Sequence, residues 1–476
     1  MMVPSQTGKK AEKAAAAAIV SHPVLSLGAT RFMELEREVE QAYRPQMLQA
    51  LEEKVQAEAG TIASQAPQCP HCGQAMKYHD RPKVSWIVRY GRLRTAAARY
   101  RCAPCHYQCR PLLDHLGVEA GRISGSLARL LVLRRVIAPY ELAARLACLW
   151  LGVEVSAMGV WRVTQRLGEA AAQYQEEVTR YHDDSRSPDS PAKEAADVVV
   201  VGVDGCVLGM QVRQRRRRRA DDGSPLPALP PIEEGPFREV KTAVLLRADE
   251  RGESSPGRHG LLRRVLVSCL GNADAIFSQL WAQLQELGWL GAQTRVVIVA
   301  DGAEWIWRRA WIFPRRCEIL DFWHCLEKAW AFARVQYGEG SSRAEAWIHR
   351  LAQDLKAGKV QAVIRRLERL RPRSEEARQC LAELIAYYRD HACRMRYDEY
   401  LRLGYGIASG AVERAHTSSW CTPACGKLGC AGAKPGGRRL LALRLLLLNE
   451  RWAMLDQLRM VPLSAHVDPP AATQCA

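Results

Sequence analysis

Residues 198–205, VVVVGVDG, and residues 295–305, RVVIVADGAEW, each carry a run of β-branched residues into an Asp-Gly pair. A short unbroken apolar run of this kind marks a strand buried on both faces, so Asp204 and Asp301 are expected at the C-terminal ends of two such strands. Open α/β sheets build their sites at those ends. A third carboxylate, Glu413, stands in GIASGAVERAH (406–416), just after a Gly-containing turn able to start a helix. Three carboxylates converging on one pocket form a cage for divalent cations, and two such ions position an attacking oxygen and stabilise a leaving one in phosphoryl transfer. Asp-Gly after a strand is also an ordinary turn, which accounts for either aspartate taken alone. It is the combination that points to a site.

Between the two aspartates, EVKTAVLLRAD (239–249) and LRRVLVSCLG (262–271) read as further strands, as a mixed sheet with an antiparallel meander requires. The expected fold is therefore multidomain α/β with a ribonuclease-H-like core. The strings VDG, REVKTAVLL, VIVADGAEWI, LDFWHCLEKAW, YGIASGAVERAH and RRLLALRLLLLNERW occur in this order. Together they are similar to the ISKra group of bacterial insertion-sequence transposases, a branch of the DDE transposases, from roughly residue 66 to 455. The resemblance implies that Asp204, Asp301 and Glu413 are the catalytic triad and ligands of Mg²⁺ or Mn²⁺, with Asp321 and His324 of DFWH as accessories. It also implies that Lys241 of REVK touches a phosphate, although a strand lysine faces solvent by default.

The resemblance breaks after Glu413, where the chain reads HTSSWCTPACGKLGCAGAKPGG (416–437) in place of a basic helix. Pro423 and the glycines forbid one continuous helix there. The segment is a loop, or a second metal site on Cys421, Cys425 and Cys430, or the product of two compensating frame changes bracketing about 417–436. On the last reading, shifted codons restore HKLVVHARLRQAGMRWSEAGG, and the chain as written binds DNA but cleaves poorly.

The chain has 476 residues, enough for several cores, and a formal charge of +17 that favours a polyanionic partner. No apolar stretch reaches transmembrane length, since LLALRLLLLNERWAML (440–455) is interrupted by Arg444. Sixteen cysteines in a long basic chain without a leader argue for metal rather than disulfides. CPHC (69–72) and CAPC (102–105) flank the hairpin-like VSWIVRYGRLRTAAARYR, so Cys69, Cys72, Cys102 and Cys105 are expected to hold one Zn²⁺ in a zinc ribbon, with His71, His106 and Cys109 as spares.

Three helical segments follow, and the short GVEV link before Ser156 fits a helix-turn-helix. On that reading Arg162, Gln165 and Arg166 contact DNA; on the other, Trp161 and Val163 pack a core in an ordinary helical hairpin. The Arg run at 215–219 and the Pro-rich stretch after it read as an extended loop. Trp305, Trp307 and Trp311 stack on an unpaired base or, as is commoner, pack.

The expected order is a helical extension (1–65), zinc ribbon (66–118), helix-turn-helix (119–182), first part of the ribonuclease-H-like core (183–324), helical insertion (325–400), C-terminal part of the core (401–455) and tail (456–476). The function expected is a cytoplasmic, nucleoid-associated bacterial DNA transposase. It cuts and joins insertion-sequence ends as a homo-oligomer on double-stranded DNA, with no membrane partner. The alternative is a catalytically inactive, transposase-derived, sequence-specific DNA-binding protein.

Overall fold

The computed structural model describes residues 31–62, 66–118, 123–184, 194–209, 237–255, 258–261, 263–408, 410 and 434–458. Glu413, the Arg run at 215–219 and residues 416–433 of the altered segment lie outside them. The chain divides into two compact units, residues 1–128 with 145–155 and residues 129–144 with 156–476. The segment 119–182, expected as one module, is therefore shared between the two. Among the described residues, no helix is long and apolar enough to cross a membrane.

In the first unit, helix α1 (Arg31–Ile62) is followed by strands β1 (Lys77–Asp80), β2 (Lys83–Val88), β3 (Gly91–Ala96), β4 (Arg99–Arg101) and β5 (Gln108–Cys109) and helix α2 (Pro111–His115). β2 and β3 form the expected hairpin, with Val88 opposite Gly91. Its inward residues Val84, Trp86, Val88 and Leu93 pack against Val55 and Ala59 of α1 and Leu112 and Leu113 of α2. Alternation along β2 produces this face, because successive side chains point to opposite sides of a strand. The second half of α1 is thus core rather than mere extension.

Next come α3 (Gly125–Ile137), α4 (Tyr140–Leu151) and α5 (Ala157–Asp184). The second unit is built on a mixed sheet of β6 (Val198–Gly209), β7 (Phe237–Arg247), β10 (Arg264–Cys269), β11 (Arg295–Ala300) and β12 (Arg316–Leu320), in the order β10-β7-β6-β11-β12. A hairpin of β8 (Arg251–Ser255) and β9 (Arg258–Leu261) lies between β7 and β10 in the chain. β6, β7 and β10 form the antiparallel meander, while β11 runs parallel to both β6 and β12. One face, including Val199, Val201, Val203, Ala243 and Leu245, packs on Ile276, Phe277, Leu280 and Trp281 of α6 (Ala273–Glu286). The other, including Val240, Val244 and Leu266, packs on Leu441 and Leu445 of α13 (Lys434–Leu448). Burial on both faces is why the strands read as unbroken apolar runs.

After the short helix α7 (Glu304–Trp307) and β12, the chain enters a helical region: α8 (Phe322–Tyr337), α9 (Ser342–Lys356), α10 (Val360–Glu368), α11 (Glu375–His391) and α12 (Tyr397–Arg402). Ser341 and Ser374 start α9 and α11 by accepting from first-turn backbone N–H groups. Both edges of the sheet are closed by side chains, as a bare strand edge would template aggregation. On β12, the Glu318 and Leu320 carbonyls accept from the Tyr400 and Tyr397 hydroxyls at 3.1 and 3.0 Å. On β10, the Asn449 amide bonds both the N–H and the C=O of Leu266 at 2.8 Å.

α5 lies against α13 at Gly168, where a Cβ would sit 2.8 Å from Arg439 Cβ and 2.9 Å from its carbonyl oxygen. Arg438 and Arg439 both grip Glu169 beside it. Gly60, in α1, has nothing within 4 Å of the same position. Gly168→Val is therefore expected to destabilise the second unit by about 1–3 kcal/mol through overpacking, whereas Gly60→Ala stabilises the first by up to about 1 kcal/mol through helix propensity. Denaturant titrations of the two variants check the opposite signs; a neutral Gly168→Val would mean that the helix pair is not closely packed.

Candidate functional site

Strand register assembles the acidic site. β6 pairs with β11 so that Val203 lies level with Ala300, and β11 with β12 so that Ala300 lies level with Leu320. The next residues are Asp204, Asp301 and Asp321, so three aspartates cross three neighbouring strands in one row. Asp301 does end its strand, and its Oδ1 accepts from the Ala303 N–H at 3.0 Å. Asp204 does not, which corrects the expectation. β6 runs on to Gly209 because β7 keeps pairing with it as far as Phe237, and only its parallel neighbour β11 stops at this level. Asp321, 1 % exposed, spends Oδ1 on the Trp323 and His324 N–H groups as the N-cap of α8.

Burial first, and then Asp204 and Asp321, push the Asp301 carboxyl above the ordinary carboxylate range, against the pull of the Ala303 N–H and His324. Burial disfavours the His324 cation, but Asp321, Glu327 and Asp301 outweigh it and hold the imidazole above its usual value. Its Nδ1 faces Glu327 at 3.1 Å. Two adjoining carboxylates that repel each other in a partly buried place are a donor set suited to a hard cation. Among the described residues they form a pair rather than a full cage. The chain returns here: the Phe322 N–H donates to the Ile407 carbonyl at 2.8 Å, six residues before Glu413.

Two neighbours depart from the sequence reading, one unforeseen and one placed otherwise than its default. Tyr387 of α11 lies directly over Gly302, its hydroxyl 2.7 Å from where a Cβ would be, so any side chain after Asp301 would have to displace the Tyr387 ring. The Tyr387 hydroxyl is held well above its ordinary range by burial, then by Cys325, Asp301 and Asp321. No local motif announces a tyrosine arriving from a helix that far down the chain. Lys241 is the second: rather than facing solvent it is 5 % exposed, paired with Glu239 and set 4.7 Å over the Trp305 ring. Trp307 is buried, with the Arg394 guanidinium 4.6 Å from its ring centre, and Trp311 is exposed.

In the first unit, the sulfurs of Cys69, Cys72, Cys102 and Cys105 lie within 4.8 Å of one another, the one such group of potential ligands among the described residues. Cys72 and Cys102 are 3.6 Å apart, close to the roughly 3.8 Å that tetrahedral zinc–sulfur bonds of about 2.3 Å require. Each knuckle ends in a left-handed residue, Gly73 (φ 70°) and His106 (φ 55°), which turns the chain back. Burial raises the Cys69 thiol, but backbone N–H groups at His71 and Cys72 and the neighbouring thiols outweigh it and bring it to about 7. The Cys72 side chain, then burial, push Cys105 up to about 12, so four thiolates coexist only around a cation. The donor set fits zinc. The spares are used otherwise: His71 packs on Tyr107, His106 meets Arg101, and Cys109 meets Met76.

The helix expected to read DNA is α5. Arg162 is exposed and Arg166 half-buried, but Gln165 is 4 % exposed and accepts from Arg439 at 3.0 Å. Gln165 therefore offers no face to a duplex here, a correction that follows from the helix stripe it shares with buried Trp161.

No protein-family model matches the chain, and no curated protein matches it. Among solved structures, it is similar to the Drosophila P element transposase strand transfer complex at 10 % identity and a TM-score of 0.33, over 71 % of this chain and 96 % of that one. A likeness of that size carries no weight for the fold or the chemistry.

The cysteine geometry predicts one zinc per chain. Cys72→Ser with Cys105→Ser, both at exposed positions that leave no core cavity, should lose the metal and unfold the ribbon, as seen by elemental analysis and limited proteolysis. Zinc-free, reduced protein that resists protease equally would refute it.

Asp301 makes a second prediction. Its folded-state pKa is raised, so the native state holds the proton more tightly and stability falls as pH rises from the ordinary value through the raised one. At pH 7 in EDTA, Asp301→Asn should thus raise the melting temperature, yet lose the increase that Mg²⁺ gives the parent. A variant that melts lower in EDTA and responds equally to Mg²⁺ would exclude Asp301 from a cation site.

Proposed function

We propose that the chain is a DNA transposase of the ISKra kind, with a ribonuclease-H-like catalytic core and Asp204, Asp301 and Glu413 as its metal-binding triad. The observation that carries the reading is the β6–β11 register, which sets two carboxylates side by side at the end of the parallel strand pair. The antiparallel meander followed by two parallel strands is what the ribonuclease-H-like reading requires. The return of Ile407 to Phe322 supports Glu413 as the third ligand.

Magnesium or manganese, when bound, supplies the Lewis acidity that phosphoryl transfer needs. The chain supplies the placement. Asp204 is fixed by its pairing with Thr242 of β7, and Asp301 by the Ala303 N–H and the Tyr387 ring over Gly302. Asp321 acts on position rather than on substrate, since its Oδ1 is committed to α8. As the imidazolium, which Asp321, Glu327 and Asp301 favour, His324 donates Nδ1–H to Glu327 and has Nε2–H to give to a phosphate oxygen. Water attacks the scissile phosphorus and the P–O3′ bond breaks, the 3′ oxygen taking up a proton to leave as a hydroxyl; that hydroxyl, losing its proton, then attacks a phosphorus of target DNA at the same site and displaces the target's 3′ oxygen, which leaves protonated. The zinc ribbon and Arg162 and Arg166 of α5 serve recognition of element ends.

The test uses both the chain as written and a version with the frame restored over 417–436. The restored version should cleave element-end DNA with Mg²⁺. Asp204→Asn, Asp301→Asn and Glu413→Gln in it should each lose about a hundredfold or more of the rate, while DNA affinity stays near the parent's. Any amide variant that cleaves at the parental rate strikes that residue from the triad. Robust cleavage by the chain as written, or codons incompatible with the shifted frame, would refute the frame reading.

A further inference from the structure

α10 and the turn after it carry a concentration of positive charge that nothing so far uses. From Lys359 to Arg378 the chain has seven Lys and Arg against three Glu. Several of these are paired: Lys359 and Arg366 with Asp354, and Arg378 with Glu375. Glu368 is taken by Arg389. Arg365, Arg369, Arg371 and Arg373 are all exposed. Among the described residues, no ion pair or side-chain hydrogen bond ties any of these four guanidinium groups.

Their placement is fixed from below. Gln336 of α8, 7 % exposed, donates to the Arg371 carbonyl at 3.1 Å and accepts from the Arg373 N–H at 3.0 Å. Both ends of one buried amide are thus committed to holding a three-residue turn, whose central Pro372 restricts it further. Arg365 and Arg369 are four residues apart and share a helix face, where like charges repel and call for an anion between them. The large apolar residues of α10, Val360, Val363, Ile364 and Leu367, are all buried, so the surface offers no large apolar anchor for a protein partner. Guanidinium forks without apolar anchors fit phosphates.

We infer that Arg365, Arg369, Arg371 and Arg373 form a surface that grips the sugar-phosphate backbone of double-stranded DNA. The inference rests on the DNA-processing reading given above. α8 spans the interval from the acidic site to this surface: His324 and Gln336 are twelve residues apart, about 18 Å along a helix. That is roughly five base pairs at about 3.4 Å each, so the surface holds duplex flanking the reacting phosphate. Its contribution is affinity and register without sequence preference.

The experiment is a titration of the full chain with a fluorescent duplex of about 30 base pairs, by anisotropy, from about 50 to 200 mM KCl. Three proteins are compared: the parent, a quadruple Arg→Gln variant at the four positions, and the matching quadruple Arg→Lys variant. Four phosphate contacts at about 0.9 each give the parent a log–log salt slope steeper than the Gln variant's by about 3.6. Across that salt range the parent should therefore lose about 150-fold more affinity than the Gln variant does. The Lys variant should keep the parental slope, because it keeps the charge. A parent that binds DNA with a Gln variant of equal affinity and slope overturns this inference and leaves the DNA reading standing. A Lys variant as impaired as the Gln variant also overturns it, since charge is then not what acts. A parent that fails to bind the duplex at all sinks the DNA reading itself.

Discussion

The register between β6 and β11 is the constraint on which the second unit depends. Parallel pairing level at Val203 and Ala300 leaves no freedom in where the following aspartates fall. A slip of one residue would turn every side chain of the strand to the other face and carry Asp204 out of line with Asp301, so the site exists only in this register. The strand pair thus delivers two carboxylates to one place. Burial, and behind it the charges of Asp204 and Asp321, raise the Asp301 carboxyl, which is the cost of gathering these groups in one place. It is the kind of local cost that persists only where the surrounding structure overdetermines the geometry.

The sheet's edges do a second task. Tyr397 and Tyr400 satisfy the outer carbonyls of β12, and in doing so fasten the helical region to the strand that ends in Asp321. The same region sends Tyr387 over Gly302 and brings Ile407 back to Phe322. The helices between the acidic residues are therefore more than a spacer. They brace the loop after Asp301 from above and present a pinned arginine surface at the far end of α8. At the opposite edge, Asn449 takes the place of a missing neighbouring strand for Leu266.

The first unit follows a different logic. Its small sheet of β1, β4 and β5 has a modest apolar core of Cys69, Met76, Tyr100 and Cys102, too little to stabilise a module alone. Two knuckles with matching left-handed turns compensate by gathering four sulfurs, and α1 covers the neighbouring hairpin. Stability there is local and tied to cysteine chemistry, whereas in the second unit it is distributed over a two-faced sheet.

Much of this was readable in the residues. β-branched runs forced strands at 198–203 and 295–300, because only burial on both faces suits such runs, and two closely spaced cysteine pairs around a hairpin forced a sulfur cluster. These are local matters, set by side-chain shape and by spacing along the chain. What depends on a partner distant in sequence was open until the chain folded. β6 continues past Asp204 because β7 accompanies it, and Asp321 joins the row only through the β12 register. Lys241 is buried because Trp305 and Glu239 receive it, and Gln165 turns inward because Arg439 of α13 awaits it. Tyr387 reaches Gly302 across a helical region whose own sequence speaks only of helices. Periodicity fixes which face of an element is apolar; which neighbour meets that face, and which polar groups find each other there, is decided by packing alone.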